Sequence, residues 1–259
     1  MTTEPNPRIA LWQGPSPAGD IEAAFAALRP ALEAAAAMGA RMLVAPELFL
    51  PGYNCAAATA LAQPRGGAWH RRLAALARET GCGVTLGYAE AAQERVWNAA
   101  VSFDRQGREI AHYRKLQLYG AREAALFAPG SAYVQFDLES IPAALLICYD
   151  IEFAPHVAAL TARGVRLLLV PTANMQPFGH VARLTVPTMA VNHGVTIAYA
   201  NYCGVEGDLS YCGGSVLVGP DGVVLARAGQ GAALLVAELA TAIDQALLST
   251  QARDFRPVG

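Results

Sequence analysis

An α/β fold built on two sheets with helices on their outer faces is predicted by three features of the sequence. Short continuous apolar runs alternate with helical stretches, strands outnumber helices, and the βαβαβ order of the first part returns later in the chain. Two half-sheets, each flanked by helices, are the arrangement that buries so many apolar strands.

Each element has its own signal. Arg8–Gln13 reads as a strand, and Asp20 caps a helix through about Met38 that Gly39 ends. Arg41–Pro46 is an apolar run of the buried-strand kind. Over Gly66–Thr80, Trp69, Leu73 and Leu76 share one helical face, with Gly81 as the stop. Strands follow at Cys82–Tyr88, Val96–Phe103 and Glu109–Tyr113, with Asp104–Gly107 as a turn. Further strands are expected at Ala143–Cys148, Arg166–Pro171, Val195–Asn201, Ser215–Val218 and Leu234–Ala237, and helices at about 154–163 and 180–193. The segment 119–132 reads as a loop. No linker or composition break divides the chain, so one domain over 1–259 is expected.

Composition narrows the function classes. The 259 residues are 54% hydrophobic and 15% charged, with a formal net charge of −2. That hydrophobic content excludes intrinsic disorder. Without a basic excess there is little to neutralise phosphates, so nucleic acid is not the expected partner. The Ala-rich stretch from Ile21 to Met38 contains Glu22, Arg29, Pro30 and Glu33 and cannot span a bilayer. Met1–Arg8 is polar and lacks an apolar signal core. A cytoplasmic protein with no membrane association is the expectation. Five cysteines, an odd number with no CxxC pair, argue against a disulfide framework and a zinc site. Cys203 and Cys212, nine apart, read as structural thiols, and no metal or cofactor is expected.

Functional groups in open α/β sheets gather beyond the carboxyl ends of strands. Three such ends deliver Glu47 in Ala45–Tyr53, Cys148 in Leu145–Phe153, and the run Pro171–Met175; Lys115 closes another strand. Taken singly, each has an ordinary reading: a buried thiol, a solvated carboxylate, a solvated ammonium. Together they match what attack on an unreactive amide requires, namely a thiol nucleophile, a base to activate it and positive charge for the oxyanion. Glu47 could take the thiol proton and Cys148 could attack. Lys115 could hold the oxyanion together with the N–H of Tyr149. A carboxylate whose pKa rises in a dry pocket can act first as base and then as acid toward departing ammonia.

The segments PELFLPGY, YRKLQL and LLICYDIEF, with Glu47, Lys115 and Cys148 in that order, resemble the three catalytic blocks of the nitrilase, or carbon–nitrogen hydrolase, superfamily. The resemblance runs from RIALWQG to the strand near Leu234. It implies a four-layer α-β-β-α sandwich and a homodimer or larger homo-oligomer. It also implies Glu47 as general base, Lys115 as oxyanion lysine, Cys148 as nucleophile and Glu123 as a second glutamate. The chain departs from the family pattern at Ala143–Ala144, where a glycine is usual, at Ala154–Pro155 in place of Pro-Glu, and at Gln117 in place of histidine. None of these removes a catalytic group.

The runs VPTANMQPFGH, AYANYCGVEGDLSYCGG and VGPDGVVLA are most similar to short-chain aliphatic amidases of the 5-aminopentanamidase type. The resemblance implies a small linear amide as substrate, with an ω-amino amide as one form; Asn174 and Met175 are pocket candidates by position, and Tyr53 and Tyr149 are further substrate-binding candidates. A cationic tail wants a carboxylate partner, and Glu206 and Asp208 are candidates by position. Within the same machinery an N-carbamoyl amino acid, with Arg183 as carboxylate partner, and a nitrile are alternative substrates. A binding or scaffold protein that kept the fold without turnover is the alternative of another class. A Cys148–His dyad has no partner that the sequence singles out.

Overall fold

Strand alternation decides which way each apolar residue faces, and that builds the layers. The computed structural model describes residues 6–240 and 244–256; the first five residues of the polar segment Met1–Arg8 lie outside the described residues. The first half contains β1 (Arg8–Gln13), α1 (Ile21–Ala37), β2 (Ala40–Val44), α2 (Ala58–Leu61), α3 (Ala68–Thr80), β3 (Gly83–Ala92), β4 (Arg95–Phe103), β5 (Glu109–Arg114) and α4 (Gly120–Leu126). The second contains β6 (Gln135–Leu138), β7 (Ile141–Leu145), α5 (Ala154–Thr161), β8 (Leu167–Pro171), α6 (Val186–His193) and β9 (Thr196–Ala200). After these come β10 (Cys203–Glu206), β11 (Leu209–Cys212), β12 (Val216–Val218), β13 (Val224–Arg227), β14 (Ala233–Glu238) and α7 (Gln251–Asp254).

One six-stranded sheet has the order β14-β1-β2-β3-β4-β5 and the other β13-β12-β9-β8-β7-β6. The two share a plan: β1-β2-β3 and β7-β8-β9 are parallel, and antiparallel strands extend each sheet on both sides. On β1 and β2, Ile9, Leu11, Met42 and Val44 join the core shared with the second sheet, together with Leu145, Leu168 and Ile197. Their neighbours Ala10, Leu43 and Ala45 turn the other way and pack with Phe25, Leu28 and Leu73 of α1 and α3. This is the period-two pattern of a sheet buried on both faces. With α5 and α6 packed against the second sheet, the result is an α-β-β-α sandwich. Among the described residues no helix is long and apolar enough to cross a membrane.

Local signals account for the helix ends. Asp20 accepts a hydrogen bond from the Ala23 N–H (2.9 Å) at the start of α1, and Gly81 closes α3 in the left-handed region (φ 71°). Several elements go beyond the sequence expectation. Residues 120–126 are helical rather than a loop, α2 and α7 are further short helices, and β6, β10, β11 and β13 are strands where none was expected. β6 and β13 lie at sheet edges, where pairing with a buried neighbour substitutes for burial of their own. β10 and β11 form a hairpin because Gly207 (φ 60°) opens a two-residue turn between Glu206 and Leu209. The predicted strand Ala143–Cys148 ends at Leu145, leaving Cys148 beyond the sheet.

Leu11→Ala removes a side chain from the inter-sheet core. It is expected to cost about 2–5 kcal/mol, read as a lowered urea midpoint at unchanged m-value.

Candidate active site

The carboxyl ends of β2, β7 and β8 open on the same side as the end of β5, and the segments that leave them converge. Glu47 lies three residues past β2. Its N–H donates to the Thr172 carbonyl just beyond β8 (3.3 Å), and so it bridges the two sheets. Gly87 on β3 makes room for it: a Cβ there would come within 2.2 Å of the Leu48 nitrogen and 2.6 Å of the Glu47 Cα. Lys115 follows β5 directly, with its N–H on the Asn98 carbonyl (2.9 Å) and its carbonyl accepting from Gly130 (2.7 Å). Glu123 sits on α4.

These side chains form a closed network with almost no solvent contact. Lys115 is fully buried, and its Nζ donates to Glu47 Oε1 at 2.6 Å and to Glu123 Oε1 at 2.8 Å. Asn98 Nδ2 donates to Glu47 Oε1 (2.6 Å). Tyr53 donates its hydroxyl to Glu123 Oε1 (2.7 Å), and the Tyr119 N–H donates to Glu123 Oε2 (3.0 Å). Glu47 Oε2 and Asn98 Oδ1 have no hydrogen-bond partner among the described residues.

Electrostatics assigns different states to these groups. Burial penalises the Glu47 carboxylate more than Lys115 favours it, and the nearby Glu123 adds to the effect, so its pKa is pushed up to about 7. Burial disfavours the Lys115 ammonium as well, but the carboxylates of Glu47 and Glu123 outweigh it and hold the amine charged. The Cys148 thiol is raised well above its usual value, first by desolvation and then by the Glu47 charge. Lys115, the Thr172 side chain and the Ala173 N–H work in the opposite direction. A resting thiol beside a carboxylate that titrates near neutrality is an acid–base pair ready for proton transfer.

Cys148 begins a 3-10 turn over Cys148–Glu152 and has φ 44°, a strained value for a residue with a Cβ. Asp150 braces that turn. Its Oδ2 accepts from the Ile147 N–H (3.0 Å) and the Tyr113 hydroxyl (2.8 Å), and its Oδ1 from the Gln117 N–H (2.7 Å). Burial nevertheless holds the Asp150 carboxyl above its usual range.

Cys148 faces a cavity of about 250 Å³ whose lining includes Tyr53, Tyr149, Asn174 and Met175. Tyr119, Phe178, Glu152 and His180 complete much of its wall. The ring of Tyr119 meets those of Tyr149 and Phe178 edge to face, at 5.3 and 6.0 Å between centroids. Larger hollows elsewhere contain none of Glu47, Lys115 and Cys148.

Glu206 is not part of that lining. It is buried, takes a hydrogen bond from the Tyr211 hydroxyl, and stands over Gly52. Asp208 is at the surface and accepts from Asn54 Nδ2 (2.8 Å). Arg183 lines a different hollow and donates to the Gly179 carbonyl (3.1 Å). Gln117, in place of the usual histidine, stands within 3.0 Å of His156 Nε2. Sequence reasoning did not single out Asn98, Tyr119, Asp150, Glu152 or Phe178. Asn98 had a signal, an uncharged polar residue inside the apolar strand Val96–Phe103. The cavity's aromatic wall had none, because its rings come from segments far apart in the chain. Among the described residues no three His, Cys, Asp or Glu side chains converge to hold a metal ion.

Comparison with known proteins adds an independent line. A family model described as Carbon-nitrogen hydrolase matches residues 8–246. A "Hydrolase in pqqF 5'region" from Pseudomonas protegens is 38% identical over 236 residues, covering 90% of this chain and 82% of that protein. An (R)-stereoselective amidase from Pseudomonas sp. is 34% identical over 200 residues, covering 76% of this chain and 72% of that protein. The crystal structure of an amidase from Nesterenkonia sp. superposes with a TM-score of 0.87 at 36% identity, covering 92% of this chain and 91% of that one. That amidase, described as from the nitrilase superfamily, has also been solved as an active-site variant in complex with butyramide.

Asp150→Asn replaces an acceptor by a donor facing three donors. It is expected to cost about 1–3 kcal/mol by urea unfolding and to slow alkylation of Cys148, followed by mass spectrometry.

Proposed function

The chain belongs to the carbon–nitrogen hydrolase family, and from that premise we propose that it is an amidase converting small linear aliphatic amides to carboxylate and ammonia through a cysteine thioester. The observation that carries the reading is the Lys115 ammonium held between Glu47 and Glu123, with Glu47 Oε2 left free, next to Cys148 at the wall of a small cavity. The named amidases among its relatives support the same class.

The steps follow from the charges. Glu47 takes the Cys148 thiol proton as sulfur bonds to the amide carbon. The carbonyl oxygen becomes an oxyanion, held by Lys115 and by the Tyr149 N–H at the start of the 3-10 turn. Collapse breaks the C–N bond, and the proton on Glu47 leaves with ammonia. Water then attacks the thioester, giving its proton to Glu47, and departure of the Cys148 sulfur, reprotonated from Glu47, releases the carboxylic acid. Glu123 keeps Lys115 charged and aimed; its own bonds to Tyr53 and Tyr119 support that placement.

A cavity of about 250 Å³ suits a short acyl chain, being smaller than the roughly 300–1,000 Å³ of drug-sized clefts. Within that class an ω-amino amide such as 5-aminopentanamide fits the resemblance of the Thr172–Met175 and Ala200–Gly204 runs. We also read residues 1–259 as one hydrolase domain acting in the cytoplasm as a homodimer. The continuous two-sheet core and the five free thiols support the first two parts, and the exposed Leu184 beside α6 is compatible with the third.

Cys148→Ala is expected to lower ammonia release from butyramide by at least about 1,000-fold, and Glu47→Gln by about 100- to 10,000-fold. Turnover by the alanine variant within tenfold of wild type would remove the thioester mechanism. Glu47 must be ionised to accept the thiol proton, so kcat/KM is expected to rise with pH through about 7 and to fall below it. An acid limb near 4.5 would assign the base elsewhere.

A further inference from the structure

One carboxylate at the cavity is unused by the chemistry above. Glu152 ends the 3-10 turn that Cys148 begins, and both line the same cavity. Its carboxylate is half-buried, and among the described residues no hydrogen bond or ion pair engages it. Desolvation holds its pKa above the usual range, while His180 and Lys115 act on it only as more distant charges. Lys115 is already shared by Glu47 and Glu123, and His180 is exposed at the rim. The remaining wall is largely aromatic: Tyr119, Tyr149 and Phe178. A partly desolvated carboxylate with vacant acceptor positions, the one acidic side chain among the residues lining the cavity, gains most from a cation delivered by a ligand. Aromatic rings around it favour the same charge.

We propose that Glu152 is the residue that selects the far end of the substrate, by pairing with a protonated primary amine on the acyl chain of a short linear amide. The assignment rests on the amidase reading and moves amine recognition from the loop carboxylates Glu206 and Asp208 to the cavity. Glu206 is turned toward Tyr211, and Asp208 is bonded to Asn54 at the surface. Cys148 holds the carbonyl end while Glu152, four residues on along the same turn, holds the tail. The two ends of the substrate are thus read by one short segment braced by Asp150.

The test compares 5-aminopentanamide with pentanamide, which differ only in the terminal ammonium. Initial rates are measured on the full chain as wild type, Glu152→Gln and Asp208→Asn. Glutamine keeps the shape and an acceptor but removes the charge. The expected result is a fall in kcat/KM of about tenfold to a hundredfold for 5-aminopentanamide in Glu152→Gln, mostly in KM, with pentanamide within about twofold. Asp208→Asn is expected to leave both substrates unchanged. Equal losses on the two substrates, or no loss on either, would overturn the assignment. Binding to the Cys148→Ala background, measured by calorimetry, keeps the question open to decision if neither amide is turned over. In that case the amidase reading fails, whereas tail recognition stands only if Glu152→Gln still weakens 5-aminopentanamide binding. Equal binding of 5-aminopentanamide by Cys148→Ala with and without Glu152→Gln overturns it.

Discussion

The buried ammonium of Lys115 is the interaction on which the site depends. Placing a cation where no solvent reaches costs several kcal/mol per ion even after relaxation, and here two carboxylates at 2.6 and 2.8 Å offset it. The group therefore stands or falls as a unit. It requires the segment after β2, the end of β5 and the helix α4 to meet at one point, and the two-sheet core holds the first two in place. One lysine serving two carboxylates also leaves the network with an excess of negative charge. That excess, together with burial, brings Glu47 into the neutral range and leaves Cys148 a thiol at rest.

Around this centre the backbone has been made to fit. Gly87 lets β3 pass against Glu47 at a separation that no Cβ would allow, and Gly130 packs onto the Arg114 carbonyl in the same way. Cys148 keeps a left-handed conformation in a turn that Asp150 ties down, accepting from the preceding Ile147 N–H and from the Gln117 N–H beyond β5. Strain of this kind persists only where surrounding contacts over-determine it. The residue so held stands beyond the end of β7 and lines the cavity.

The cavity itself divides its tasks between two kinds of wall. Aromatic rings make up much of the lining, while acidic charge is confined to the Glu47–Glu123 end and to Glu152. Low dielectric strengthens each of those charges. A pocket of this kind discriminates through where its polar groups stand rather than through their number.

Much of this was legible in the sequence. The apolar runs announced the parallel strands of both sheets, and three strand ends delivered Glu47, Lys115 and Cys148, which the fold brings together, because period-two burial and reactive side-chain types leave local marks. Edge strand β6 and the hairpin β10–β11 carry no apolar run, since pairing with the strand next in sequence, rather than such a run, stabilises them. The same reason explains Glu206: a carboxylate in a Gly-rich loop reads as available, but the hairpin turns it onto Tyr211, away from the cavity. Glu152 lay in plain view within CYDIEF, yet whether it is paired or vacant depends on what packs beside it. Residue types and their order along the chain determined the fold class and singled out Glu47, Lys115 and Cys148. Only tertiary packing decided which carboxylates are buried, paired or free, because desolvation and proximity are properties of neighbours that the chain brings together on folding.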